Sequence, residues 1–293
     1  MLRAAAALLP DGRLHLHHGP IDLIVDAHGP GRAAAFDRVR ARFATVLEEL
    51  AAELPELRRP VTGAPRLHGT VARRMLVAAA PFAPAFVTPM AAVAGAVADE
   101  MLAVIRAQGG IDRAYVNNGG DAALWLRPGQ SMRAAVAAPV PAMLSLTAGD
   151  GVGGVATSGR GGRSHSLGIA DSVTVLAASA AAADAAATLI ANAVDLPGHP
   201  AIRRRPANRL SPDSDLGARP VTIAVGALGE REVAAALEAG ARAAATYRAR
   251  GLLIGAILML GRQHRIVGAA PTVPLNAGSG AGDLRAFGRL TGS

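Results

Sequence analysis

A carboxylate, Asp184, interrupts the alanine-rich run AAADAAATLIANAVD at 181–195, and Thr188 follows four residues later. On a helix these two side chains share one face, and a carboxylate with a hydroxyl one turn away suits a hard cation such as magnesium. No arginine stands at the i±3 or i±4 positions, which are Ala180, Ala181, Ala187 and Thr188. A charge on so apolar a helix therefore needs compensation from elsewhere in the fold, from water or from a metal. The plainer alternative is an alanine-rich helix whose Asp faces water. Two other stretches carry ligand-binding chemistry. In NNGGD, Asn117, Asn118, Gly119, Gly120 and Asp121 follow a strand-like run, so the glycines permit close backbone approach to a ligand and Asp121 closes the turn. In ATSGRGGRSHS, Thr157 and Ser158 offer hydroxyls, and Gly159 begins a run of backbone N–H groups. Arg160, Arg163 and His165 add cationic donors, together a cradle for phosphates. Read alone, each stretch is also an ordinary turn or surface loop.

The elements that must position these residues follow from periodicity. RLHLHHGPIDLIVDAHG alternates around Gly19-Pro20 as a pair of strands. Phe36, Val39, Phe43, Val46, Leu47, Leu50 and Leu54 recur at helical spacing up to about Pro55. VARRMLVAAA reads as a short helix, and PMAAVAGAVADEMLAVIRAQGG as a longer one ended by Gly109-Gly110. Strands follow at AYV, AALWL, MRAAVAAPV, GGVATSG and SVTVLAA, then the Asp184 helix from about Ser179 to Val194. Residues 196–220 read as an irregular excursion rich in Pro and Arg. Beyond it come the strand VTIAVG, a helix from about Glu230 to Arg250, and the strands LLIGAILML and HRIVGA. Bunched strands with a few long helices predict an α+β fold, taken as a single domain over 1–293 or two intimately packed halves.

Composition narrows the function classes. The chain is 51% hydrophobic and 18% charged, which fits a packed core and argues against disorder. Its net charge of +8 comes entirely from arginine, since lysine is absent. The arginines are scattered and rarely interleaved with aromatics, so nucleic acid is not expected as a partner whereas bound phosphates are. With no cysteine, thiolate metal sites and cysteine nucleophiles are excluded. LLIGAILML is far shorter than the roughly 20 residues that span a bilayer, and the apolar start is too quickly ended by Pro10 and Asp11 for a secretory signal. A cytoplasmic protein without a membrane partner is the expectation. His15, His17 and His18 in HLHH read as part of a surface strand rather than as metal ligands.

In this order and at these separations, NNGGD, ATSG with His165, and Ala183-Asp184-Ala185 with Thr188 resemble the FAD:protein FMN transferase (ApbE) family. The wording from about residue 86 to 195 is closer still to a branch of that superfamily labelled ApbE-like. The resemblance implies a T-fold-like α+β architecture of mixed sheets with packed long helices, FAD or FMN as cofactor, and magnesium at Asp184 and Thr188. It further implies a nucleotide pocket lined by Asn117, Asn118, Gly119, Gly120, Asp121, Thr157, Ser158, Gly159, Arg160 and Arg163, with His165 as the group that positions or deprotonates. The implied chemistry is phosphoryl transfer at the FAD pyrophosphate, moving FMN to a threonine of an acceptor protein or splitting FAD. The transferases usually carry Lys-Gly in the helix before their N-x-G-G-D, where this chain has AVAGAVADE, and their H-x-I-D-P-x-T-G segment is shortened here to SHSLGIADS. Those departures leave open a second reading, a non-catalytic flavin or nucleotide binding or assembly factor. NNGGD and ATSGRGGRSH are expected to line one cleft, with Asp184 and Thr188 pointing into it near His165.

Overall fold

The computed structural model describes residues 3–136, 142–162, 164–269 and 272–273. The chain opens with strands β1 (Ala5–Leu8), β2 (Leu14–His18) and β3 (Ile21–His28), followed by helices α1 (Arg32–Ala52), α2 (Leu54–Leu57), α3 (Thr70–Ala79) and α4 (Val93–Gln108). Next come β4 (Arg113–Asn118), β5 (Asp121–Leu126), β6 (Ser131–Val136), β7 (Ala142–Thr147), β8 (Gly154–Ser158) and β9 (Ser172–Ala177). Helix α5 (Ala180–Ala193), strands β10 (Ile202–Pro206) and β11 (Pro220–Val225), helix α6 (Glu230–Ala249) and strands β12 (Gly255–Leu260), β13 (Gln263–Gly268) and β14 (Thr272–Val273) complete it.

Among the described residues, nine strands form one antiparallel sheet in the order β1-β2-β3-β4-β5-β8-β9-β12-β13. The period-2 pattern of the sequence decides its two faces. Leu14 and Leu16, then Leu23, Val25 and Ala27, then Val173, Val175 and Ala177, are buried under the helices. The alternate positions Tyr115, Leu124, Leu126, Val155 and Leu176 pack beneath the small sheet β14-β7-β6 through Leu144 and Leu146. The architecture is α+β, as expected. Among the described residues no helix is long and apolar enough to cross a membrane.

One sequence expectation is corrected. The excursion at 196–220 is not wholly irregular: Ile202–Pro206 pairs antiparallel with β11, and VTIAVG joins that two-stranded ribbon rather than the main sheet. Its alternation was masked by three consecutive arginines, which carry no apolar period. The strand read in MRAAVAAPV is present as β6, while 137–140 lie outside the described residues.

The closest helix contact sets the geometry of the centre. Helix α4 meets the start of α5 at Gly95, where an added Cβ would fall 2.2 Å from the Ala180 carbonyl oxygen. The start of α5 also presses on the sheet at Gly154, where a Cβ would stand 2.1 Å from the Ala180 nitrogen. Small residues let three backbones converge here. Replacing Gly95 by Ala improves helix propensity by about 1 kcal/mol, but the backbone collision should outweigh that. We expect Gly95→Ala to destabilise the protein by about 1–3 kcal/mol in urea denaturation; an unchanged or raised midpoint would refute the close approach.

Candidate functional site

NNGGD folds as a two-residue hairpin turn between β4 and β5, with Asn118 opposite Asp121 in the ladder. Gly119 and Gly120 take φ of 65° and 122°, the left-handed region that only glycine adopts without strain. A Cβ on Gly120 would meet open space, so its backbone conformation requires glycine and close packing does not. Asn117 closes the turn, its Oδ1 accepting from the Gly120 N–H at 3.0 Å. Asn118 points the other way, to the helix side, where its Nδ2 donates to the Ala94 carbonyl at 3.1 Å.

The first turn of α4 is the hub. Alongside Asn118 at Ala94, the Gly95 N–H donates to Asp184 Oδ2 at 3.1 Å. Asp184 therefore caps α4 from a different helix, in the place of a local cap, since no side chain of its own sequence caps α4. The arrangement is reciprocal. Asp99 on α4 accepts from the Ala180 and Ala181 N–H groups at 3.0 and 2.9 Å, and so caps α5 beside its own N-cap Ser179. Sequence reasoning missed Asp99, whose partner amides lie about eighty positions downstream with no local signal.

Asp184 is largely enclosed, and burial pushes its carboxyl well above the ordinary carboxylate range. The nearby Asp121 carboxylate adds to the rise, Gly95 and Ala94 amides oppose it, and Asp99 reinforces it weakly. Asp99 is raised in the same direction by burial, against its two amide bonds. Asp121 is fixed by the neighbouring strand, its Oδ1 accepting from the Thr157 N–H at 3.0 Å. NNGGD and ATSG thus meet at Asp121, and Asp184 lies close enough to Asp121 to feel its charge. Thr188 and Asn192 continue the partly exposed stripe of α5 one and two turns beyond Asp184.

The stretch 157–168 departs from the phosphate-cradle expectation in four respects. Thr157 belongs to the sheet face turned from α5, where its hydroxyl pairs with Thr174 Oγ1 at 2.8 Å; alternation leaves Ser158 on the α5 side. The amides of Arg160 and Gly162 donate to Ala170 and Gly159 carbonyls at 2.8 and 3.0 Å, and Gly161 donates weakly to Asp171. The guanidinium of Arg160 is bound to Asp171, whose other oxygen accepts from the Gly261 N–H at 2.7 Å. Glycine at 159 is required on steric grounds, since its φ is 139° and a Cβ there would lie 2.7 Å from the Asp171 carbonyl oxygen. Arg163 lies outside the described residues.

His165 is exposed. The residues after it are held by Asn192, whose Oδ1 accepts from the Leu167 N–H at 3.0 Å. This anchor sits two helical turns from Asp184, roughly 12 Å along the axis. The segment that follows His165 is therefore tied to the same face of α5 as Asp184, at a separate height. Of the remaining candidates, His15 pairs with Asp22 at 2.8 Å, and buried His18 packs edge-on to Phe43. A hollow of about 420 Å³ lined by Pro128–Ser131 and Thr147–Gly149 includes none of these residues.

Among the described residues no group of three or more His, Cys, Asp or Glu side chains is placed to hold a metal. A cation at Asp121 and Asp184 would be completed by Thr188, backbone oxygens, water or the phosphates of a ligand. That is the habit of magnesium, which keeps waters and takes one or two carboxylates plus substrate phosphates.

Comparison with known proteins adds the following. The model of the family described as AbpE bacteria matches residues 6–266. The UPF0280 protein MK0206 of Methanopyrus kandleri is 43% identical over 138 residues, which are 46% of this chain and 52% of that protein. The match therefore spans about half the length of that relative. The apo crystal structure of the Pseudomonas stutzeri flavinyl transferase ApbE aligns over 91% of this chain and 94% of its own at 15% identity. Its TM-score is 0.39, a likeness too loose to transfer residue roles.

The raised Asp184 carboxyl has a measurable consequence. A folded-state value above the unfolded one means that the folded protein holds the extra proton. Its stability therefore falls as pH climbs from about 4, the unfolded value, through the raised one. Asp184→Asn keeps an acceptor for Gly95 but cannot ionise. It should flatten the stability slope between pH 4 and 8 in urea titrations, whereas an identical slope in both proteins would contradict the enclosed carboxylate.

Proposed function

The chain belongs to the AbpE bacteria family, within the ApbE-like superfamily, and we propose from that membership that it binds a flavin nucleotide and acts at the FAD pyrophosphate. The observation that carries this reading is the meeting of Asp121, Asp184 and the first turn of α4, because it joins two of the three motif pieces in one polar junction. The donor set fits magnesium: the Asp121 charge that makes Asp184 harder to ionise would be offset by a divalent cation between the two. Asp121 and Asp184 would hold it, with Thr188 as the third protein oxygen. When bound, magnesium neutralises charge developing on the transferred phosphoryl group.

The chain's own residues do the rest. Asn118, tied to Ala94, keeps the hairpin turn against α4 and so keeps Asp121 at Asp184. Ser158, on the α5 side of β8, is the hydroxyl of ATSG available to a ligand, in place of Thr157. His165, exposed in the loop whose Leu167 amide is bonded to Asn192, would take the proton of an acceptor hydroxyl brought to the site. Phosphate binding then rests on the metal and on Ser158, since the 160–162 amides and Arg160 are engaged within their own loop. This last observation also favours the second reading, in which the protein holds a flavin without transferring it.

Flavin fluorescence separates the readings. FAD should bind in a magnesium-dependent way, and Asp121→Asn and Asp184→Asn should each weaken binding roughly tenfold or more, about 1.4 kcal/mol. His165→Ala should leave the binding constant unchanged while abolishing release of AMP. Release of no AMP by the wild type with intact binding supports the binding factor, and no FAD binding with magnesium present refutes both.

A further inference from the structure

The β10–β11 ribbon carries a surface that the flavin reading does not use. Within residues 196–225 the sequence places five arginines and two carboxylates, Asp213 and Asp215. Arg204 turns inward, bonded to Asp195 and to the Leu167 carbonyl. Its neighbours Arg203 and Arg205, and Arg209 beyond them, are exposed, and none has a carboxylate partner among the described residues. Two of the large aliphatic side chains left exposed lie among them, Leu210 and Ile223, each 39% accessible. Exposed arginine beside exposed Leu and Ile is the composition of a protein-binding patch rather than of a solvated loop.

The surface is also held rigidly. Beyond the Arg204 contacts, the Thr222 N–H donates to the Ser166 carbonyl at 2.9 Å, next to His165. At the other side Asp215 accepts from the buried Thr88 hydroxyl, and Arg219 stacks on Phe86. The ribbon therefore bridges the segment that leads into α4 and the loop that carries His165. A surface ordered before binding loses little conformational entropy when a partner arrives.

We propose that this ribbon is a docking surface for an acidic polypeptide segment that also presents aliphatic side chains. The charge argues for that occupant: three arginines without a carboxylate partner among the described residues, on a chain of +8, repel a second copy and attract carboxylates. Leu210 and Ile223 argue for a polypeptide over nucleic acid, since the aromatic ring beside the ribbon, Phe86, is already covered by the Arg219 guanidinium. The proposal does not depend on the flavin reading, although its place beside His165 would bring such a partner to the candidate site.

The test uses the full chain and short fluorescein-labelled peptides of repeated Glu-Glu-Leu and Glu-Glu-Ser, with an oligothymidylate of equal charge as the third probe. Anisotropy should show the Glu-Glu-Leu peptide bound, more weakly as salt rises. The R203E/R205E/R209E variant should bind it roughly tenfold or more worse, and Ile223→Ser with Leu210→Ser several-fold worse. These side chains are exposed, so thermal midpoints should stay near the wild type. Equal binding by the charge-reversed variant, equal binding of both peptides, tighter binding of oligothymidylate, or no peptide binding at all would each overturn the proposal. FAD binding measured on the same samples reports separately on the flavin reading.

Discussion

The structure depends on an exchange of caps between two helices. Asp99 on α4 takes the first amides of α5, and Asp184 on α5 takes the Gly95 amide in the first turn of α4. Each helix thus closes the orphan donors of the other, an interaction typically worth about 1 kcal/mol per cap. The exchange is possible only because the backbones nearly touch at Gly95 and Ala180. Glycine and alanine at this crossing are a condition for both carboxylates to reach their amides, and the alanine-rich composition of α5 has a geometric purpose there.

That exchange also explains how charge is tolerated in an apolar core. Two helix N-termini, each with partial positive charge, converge where two half-buried carboxylates sit. The balance is incomplete at Asp184, because Asp121 arrives on the hairpin turn and adds a second negative group that the amides do not offset. Asp99 has no such neighbour of comparable effect and two amide bonds to its own carboxylate. Asp99 is thus the better compensated cap of the crossing, and Asp184 the one whose burial the α4 amides offset least.

Much of this was legible in the sequence. Period-2 and period-3.6 patterns located the β2–β3 hairpin, the long α1, and α5 beginning at Ser179. The oddity of Asp184 in an alanine run correctly signalled a need for compensation from outside its own helix, which α4 supplies. What local patterns could not carry was direction across a sheet and partnership at long range. Whether Thr157 or Ser158 faces α5 depends on the register of β8 with β9, and the engagement of Arg160 depends on Asp171. The run of glycines at 159–162 reads as a set of free amides in sequence, but a compact loop satisfies its own donors. Arg203 to Arg205 hid a strand because charge obscured its alternation.

The cation site proposed at the α4–α5 crossing is formed by Asp121 and Asp184 together. Anomalous diffraction from crystals grown with manganese in place of magnesium addresses it directly, because the ion itself is located. The account expects a peak between the Asp121 and Asp184 carboxylates, lost in Asp184→Asn while the Asp99 bonds to Ala180 and Ala181 remain. A peak only elsewhere, or none while Asp184 stays bonded solely to the α4 amides, would reduce Asp184 to a structural cap and contradict the claim.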